Sequence, residues 1–230
     1  MAFEAGGLLI EEGGLESAEG RLLANGKQTG VIRVRAGMAL PRRRFTVAHE
    51  IGHRSLHSKG VINHTDSPKT LAIWNDRGEE AEANTFAAEL LLPTEMVLPR
   101  FTGHEPSIAL IEAVASEFRT SRLSTAIQYI RCTNEVVALV VSHGWDIEWS
   151  QRTKDFLPRI RTGRVSKDSA AGERLARIRP DSGRMVVTPA YAWLEGFDQN
   201  SNKDLKEDSV YLDYYDRTVT LLWLEDDISD

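Results

Sequence analysis

The sequence contains a single cysteine, Cys132, among its 230 residues. One thiol excludes an internal disulfide and a zinc cage built from several cysteines, and it is typical of a protein in a reducing compartment. No apolar run approaches the roughly 18 residues that a membrane span needs. The opening stretch, MAFEAGGLLIEEGG, contains glutamates but no basic residue, so we do not expect it to be a secretion signal. These absences predict a cytoplasmic protein that does not enter a membrane.

An excess of positive charge is also missing, since the formal net charge is −6 at pH 7. A chain of this sign has no general attraction to the phosphates of nucleic acid, and we do not expect direct nucleic-acid binding. The hydrophobic share of 41% and the length are sufficient for one large core, or for one core with a smaller second domain.

The apolar patterns divide the chain near residue 150. The first part predicts strands at 19–27 and 30–37 joined by an Asn-Gly turn, a helix at 42–58, a polar connection at 59–78, helices at 79–92, 107–118 and 122–131, and a buried strand at 135–145. After residue 150, basic residues cluster first and acidic ones follow, with two strands expected around Asp216. We expect an α+β fold with one domain over 1–150 and a smaller β-rich region over 151–230.

The segment RRRFTVAHEIGHRSLHS holds the clearest chemical signal in the chain. On a helix, residues four apart lie about 40° apart around the axis, so His49 and His53 can direct two imidazoles at one metal ion. Glu50 follows the first histidine and can reach water at the open position of that metal, where it would act as a general base. Zinc suits such a site because it accepts imidazole and carboxylate ligands and acidifies water. Gly52, in the middle of the helix, suggests that another segment packs closely there.

His57 continues the four-residue spacing, but about 12 Å of helix rise separates it from His49. Because zinc ligands lie about 2 Å from the ion, these three histidines cannot share one metal on an unbroken helix. The longer metzincin pattern is excluded, since Leu56 and Lys59 stand where it requires glycine and histidine.

A catalytic zinc site needs a third protein ligand, and the helix at 79–92 is the best source. Its apolar face consists of Ala83, Phe86, Ala87 and Leu90. Extending this face back by one turn reaches Glu79 and Glu80, one on each side, and helical geometry does not choose between them. Glu82 lies further round the helix, where we expect it to face solvent, and His64 in the polar connection is a further candidate ligand.

Two segments, RFTVAHEIGH and EAEANTFAAELLLP, resemble the signatures of the ImmA/IrrE-type metallopeptidases. The resemblance is good over about 30–95 and looser over about 95–150. It implies a small zincin-like domain, with a short sheet and active-site helices, and the β-rich region after residue 150 lies outside the resemblance. It implies that His49 and His53 are zinc ligands and that Glu50 is the catalytic residue. The third ligand of the family lies four positions before the asparagine, which is Asn84 here, so the resemblance implies Glu80.

The same resemblance implies a Zn²⁺-dependent endopeptidase inside the cell, with narrow specificity. Related proteins act on a helix-turn-helix repressor, so the expected partner is a protein substrate of that class. An extended peptide often binds by adding a strand to an exposed sheet edge, and we expect the strand Gly30–Gly37 to provide that edge. The region after 150 is too short for the GAF-like sensor domain that some relatives carry.

Two other functions are compatible with parts of the sequence. A metal-containing binding module that holds a repressor or antitoxin without cutting it would need His49, His53 and Glu80, but would not need Glu50 as a base. A DNA-binding regulator would use Val114–Ile130, which resembles a helix-turn-helix except that Arg119 stands at the usual turn glycine. The presence of Glu50 favours the enzyme.

Overall fold

A computed structural model describes residues 2–5, 7–15, 18–25, 29–57, 61–66, 78–177 and 184–225, with the backbone alone at 2–5 and 61–66. The chain forms two compact units. Unit 1 consists of Met1–Thr94 and Phe118–Ser121, and unit 2 consists of Glu95–Glu117 and Arg122–Asp230. No helix of the described residues is long and apolar enough to cross a membrane.

Unit 1 contains a five-stranded sheet whose strands are β1 (Ala2–Ala5), β2 (Leu8–Gly13), β3 (Gly20–Asn25), β4 (Thr29–Arg35) and β5 (Val61–Asp66). The strand order is β1-β2-β4-β3-β5, with β2 and β4 parallel and the other neighbours antiparallel. Leu22, Ile32 and Val34 are buried on one face, where Val47 and Ile51 of the following helix pack against them. The predicted strands at 19–27 and 30–37 are confirmed by β3 and β4, while their turn, residues 26–28, lies outside the described residues.

Two helices complete the part of unit 1 that carries the chemical signal. Helix α1 covers Leu40–His57 and helix α2 covers Glu79–Leu91, as the sequence predicts. They approach so closely that a Cβ added at Gly52 would lie 3.1 Å from both the Cα and the carbonyl oxygen of Ala83. The expectation of close packing at Gly52 is therefore confirmed, and α2 is the segment that packs there.

Two expectations about unit 1 are wrong. The polar connection at 59–78 contains strand β5, whereas residues 58–60 and 67–77 lie outside the described residues. Strand β4 is not an exposed edge, because β2 pairs with it on one side and β3 on the other. The error arose from β2, which pairs with β4 in parallel and therefore leaves no hairpin signal between neighbouring segments.

Unit 2 combines helices with a second five-stranded sheet. Its helices are α3 (Thr94–Phe101, whose first residue belongs to unit 1), α4 (Ile108–Phe118, whose last residue does), α5 (Arg122–Cys132) and α6 (Ala170–Leu175). Its strands are β6 (Val137–His143), β7 (Asp146–Arg152), β8 (Val186–Pro189), β9 (Asp204–Leu212) and β10 (Arg217–Trp223), in the order β7-β6-β10-β9-β8. The α+β character and the β-rich C-terminal region are confirmed.

The predicted boundary at residue 150 falls inside a strand. β7 spans this position and pairs with β6, which pairs in turn with β10 near the C-terminus. A continuous sheet thus joins residues on both sides of 150, and the compact units separate near Thr94 instead. The alternation of exposed and half-buried residues along β7 is that of an edge strand.

Candidate metal centre

Helix α1 carries His49, Glu50 and His53 at positions that are almost completely buried. His49 and Glu50 expose 0% of their surface and His53 exposes 3%. The helix buries them because its apolar residues Phe45 and Ala48 pack in the same core cluster as Ala87 of α2. Buried ionisable side chains are costly unless they find partners or bind a metal, so their concentration here indicates a site.

Helix α2 brings Glu80 to the two histidines. Its Oε2 lies 3.4 Å from His49 Nε2, and its Oε1 lies 3.4 Å from His53 Nε2. The Nε2 atoms of His49 and His53 are 2.9 Å apart, and one ligand atom from each of the three residues lies within 4.8 Å of the others. Two imidazole nitrogens and one carboxylate oxygen form the donor set that zinc accepts in catalytic sites. These residues therefore fit a metal ion.

One of the other two candidate ligands, Glu79, lies outside this group, and the other, His64, has only its backbone described. Glu79 is exposed at the start of α2, on the other side of the apolar face. The backbone of His64 lies in β5 opposite Leu22, but its side chain is outside the described part of the structure. Of the two glutamates that helical periodicity left open, Glu80 is the one beside the histidines.

The outer nitrogen of each histidine also has a contact. His49 Nδ1 lies 2.8 Å from Asn84 Oδ1, and Asn84 is completely buried. His53 Nδ1 lies 3.3 Å from His57 Nδ1, and His57 Nε2 lies 2.8 Å from Glu82 Oε2. Sequence reasoning used Asn84 only as a landmark for Glu80 and expected Glu82 to face solvent. The side chain of Glu82 is indeed 64% exposed, and its carboxylate still contacts His57.

Glu50 lies against the first residue of β3. A Cβ added at Gly20 would be 2.7 Å from Glu50 Oε1 and 2.5 Å from the Cγ2 of Thr46, distances at which atoms overlap. The preceding residue, Glu19, is 2% exposed and accepts a hydrogen bond of 2.6 Å from Arg42 Nε of α1. This buried ion pair ties the start of β3 to the helix. Nothing in the local sequence singles out Gly20, which lies thirty positions before Glu50.

Comparisons with known proteins show what the chain is similar to. A family model described as Peptidase_M78, IrrE N-terminal-like domain, matches residues 4–128. "Uncharacterized immunity region protein 2" of Bacillus phage phi105 is 32% identical over 94 residues, which are 40% of this chain and 57% of that protein. A Mycobacterium tuberculosis transcriptional regulator of known structure matches at 14% identity with a TM-score of 0.55. The match covers 94% of this chain and 65% of the regulator's chain.

The phage protein and the regulator are each longer than the part that this chain covers, and the likeness to the regulator is one of fold. The family match supports a stronger conclusion, because it extends over more than half of the chain and includes both helices of the site. The resemblance drawn from the two sequence signatures is thereby confirmed: the chain belongs to the Peptidase_M78 family of IrrE N-terminal-like domains.

Proposed function

We propose that this protein is a zinc-dependent endopeptidase of zincin-like plan that cuts a regulatory protein with narrow specificity. The observation that carries the proposal is the approach of His49, His53 and Glu80 within 4.8 Å of one another, with Glu50 next to His49 on the same helix. The peptidase family supports the reaction class. The single cysteine supports a site of action in the cytoplasm.

The chain's own residues divide the work of amide hydrolysis. His49, His53 and Glu80 would hold a zinc ion, which acts as a Lewis acid toward a peptide carbonyl and toward water. Glu50 accepts the proton of the attacking water on a carboxylate oxygen and later donates it to the leaving amine nitrogen. Gly20, by lacking a side chain, leaves the carboxylate of Glu50 its space.

The edge of the unit 1 sheet offers a place for an extended substrate. Within the described residues, β5 is the last strand of the sheet and pairs with β3 alone, and an edge strand of this kind can accept an extended peptide through main-chain hydrogen bonds. Asp66 of β5 pairs with Gly20, the residue that lies against Glu50. A peptide added to β5 would therefore run close to the base. We propose that an extended substrate binds along β5, since β4 is an interior strand and has no free edge.

The substrate class that we propose is a helix-turn-helix repressor. The family resemblance suggests it, and the phage relative is named for an immunity region. The alternative is a module that binds a repressor or antitoxin without cutting it, for which the same metal ligands would suffice. DNA binding by the chain itself is disfavoured, because Leu123–Ile130 of α5 are all buried and present no face to a groove.

The test compares wild type with Glu50→Gln and with Glu79→Gln as the matched control. Each purified, zinc-loaded protein is incubated with repressors encoded beside its gene and with casein. We expect a single cut in a neighbouring repressor by wild type and Glu79→Gln, lost on chelation. Glu50→Gln should keep its zinc and lose cleavage, because the amide has the shape of the carboxylate but takes no proton.

Other outcomes would change the assignment. Degradation of casein with no effect on any repressor would indicate a general peptidase. Tight binding of a repressor without cleavage would favour the binding module. Loss of zinc from Glu50→Gln would make Glu50 a ligand rather than the base.

A further inference from the structure

His57 lies on α1 one turn beyond His53, too far from His49 to share a metal with both. The structure shows which groups it contacts instead. One ring nitrogen, Nδ1, is 3.3 Å from Nδ1 of His53, and the other, Nε2, is 2.8 Å from Oε2 of Glu82. The side chain of His57 is 10% exposed. It thus lies between a candidate metal ligand and a carboxylate at the surface.

The positions of the ring protons follow from these contacts. In His53, Nε2 is the nitrogen that faces Glu80 and His49, so it is the atom available to a metal. An imidazole that binds metal through Nε2 carries its proton on Nδ1. That proton can be donated to His57 Nδ1 only if the proton of His57 is on Nε2, where it is in turn donated to Glu82. One arrangement of tautomers therefore satisfies the contact of His53 with the metal position, the contact between the two histidines, and the contact of His57 with Glu82.

The second histidine of the site is held in a comparable way. His49 Nδ1 donates to Asn84 Oδ1 when its Nε2 faces the metal position. Asn84 and Glu82 are both on α2, the helix that also supplies Glu80. The helix that provides one ligand therefore orients the two others, directly at His49 and through His57 at His53.

We propose that His57 and Glu82 are positioning residues for the metal centre: His57 accepts the Nδ1 proton of His53, and Glu82 holds His57 in the tautomer that can accept it. The proposal rests on the proposed function, because it concerns the same metal centre. Partners of this kind fix the ring of a ligand and raise its basicity, and their loss weakens metal binding by about 10–100-fold.

The experiment measures the zinc affinity of the full chain by competition with a chelator. His57→Ala should bind zinc about 10–100-fold more weakly than wild type. His57→Asn should restore most of the affinity, because its amide oxygen can accept a hydrogen bond close to the position of the lost Nδ1. Glu82→Ala should weaken zinc binding as a single substitution. Combined with His57→Asn it should have no further effect, because asparagine has no tautomer for Glu82 to select. Glu79→Ala, an exposed change in the same turn of α2, is the control.

The results separate positioning from packing. Equal affinities for wild type, His57→Ala and Glu79→Ala would overturn the proposal, as would His57→Asn binding as weakly as His57→Ala. An unchanged melting temperature of the metal-free variants excludes a folding defect as the cause. Absence of zinc binding by wild type would overturn the metal centre itself. If zinc binding follows the expected order but no substrate is cut, only the peptidase assignment fails.

Discussion

Replacing Gly20 by alanine would place a methyl group where β3 contacts Glu50, the residue that we propose as the general base. The new Cβ would be 2.7 Å from Glu50 Oε1 and 2.5 Å from Thr46 Cγ2. Carbon atoms in contact normally lie about 3.5–4.0 Å apart, so one or both side chains must move by roughly 1 Å. Overpacking of this size costs about 1–3 kcal/mol of stability. A shift of about 1 Å in a reacting group can lower the rate about 100-fold.

Gly20→Ala is therefore expected to retain zinc, since none of the proposed metal ligands is among the atoms closest to the added methyl group, and to lose about 100-fold in kcat. Gly14→Ala is the matched control, because a Cβ added there meets no atom within 4 Å. The assays are zinc content, melting temperature and cleavage of the substrate identified with wild type. Adding Thr46→Ser removes the closest methyl, so stability should recover while the loss of activity remains.

Two results would refute this reasoning. Cleavage by Gly20→Ala at the wild-type rate would show that the carboxylate of Glu50 tolerates the methyl group or does no work. Loss of zinc from Gly20→Ala, with a normal melting temperature, would mean that β3 supports the ligands rather than the base.

Three further predictions concern metal binding, packing and pH. Glu80→Gln should weaken zinc binding by more than about 100-fold while Glu79→Gln leaves it unchanged, as measured by chelator competition; equal losses would contradict the role of Glu80. Gly52→Ala should lower the melting temperature, because the added methyl group would press on the backbone of Ala83 at a cost of about 1–3 kcal/mol. This cost outweighs the gain of about 1 kcal/mol in helix propensity. A higher melting temperature would show that the two helices move apart without cost. Burial raises the pKa of Tyr129 from 10.0 to about 12, so the stability that its phenol contributes is complete below about pH 10 and is lost as the pH rises through about 12; absorbance titration should show a late phenol that Tyr129→Phe lacks, and an identical titration in both proteins would refute this.

The strands and helices with strong local patterns could be predicted from the sequence. Helices α1 and α2 have apolar residues at helical spacing, and strand β6 is a short continuous apolar run. Each was predicted with bounds close to those observed. Strands β1, β2, β5, β7 and β8 were not predicted, and β2 and β5 show why. In β2 the apolar residues come first and the glutamates follow, and β5 is mostly polar, so neither shows the local alternation on which strand prediction depends.

The relation between His49, Glu50 and His53 follows from their positions along the chain, because the rise and turn of a helix place residues four apart on one side whatever surrounds them. It left Glu79 and Glu80 equivalent on the two sides of an apolar face, and only the family resemblance pointed to Glu80. The packing of α2 against α1 decided which of the two lies beside the histidines.

The surroundings of Glu50 and of the outer histidine nitrogens depend on how distant segments fold together. The contact of Gly20 with Glu50, and the contact of Glu82 with His57, join segments twenty-five or more positions apart. Such contacts depend on how a sheet and two helices pack, and that packing is set by the summed burial of many apolar side chains rather than by the residues that meet. For this reason the chemistry of the site could be read along the chain, whereas its geometry required the fold.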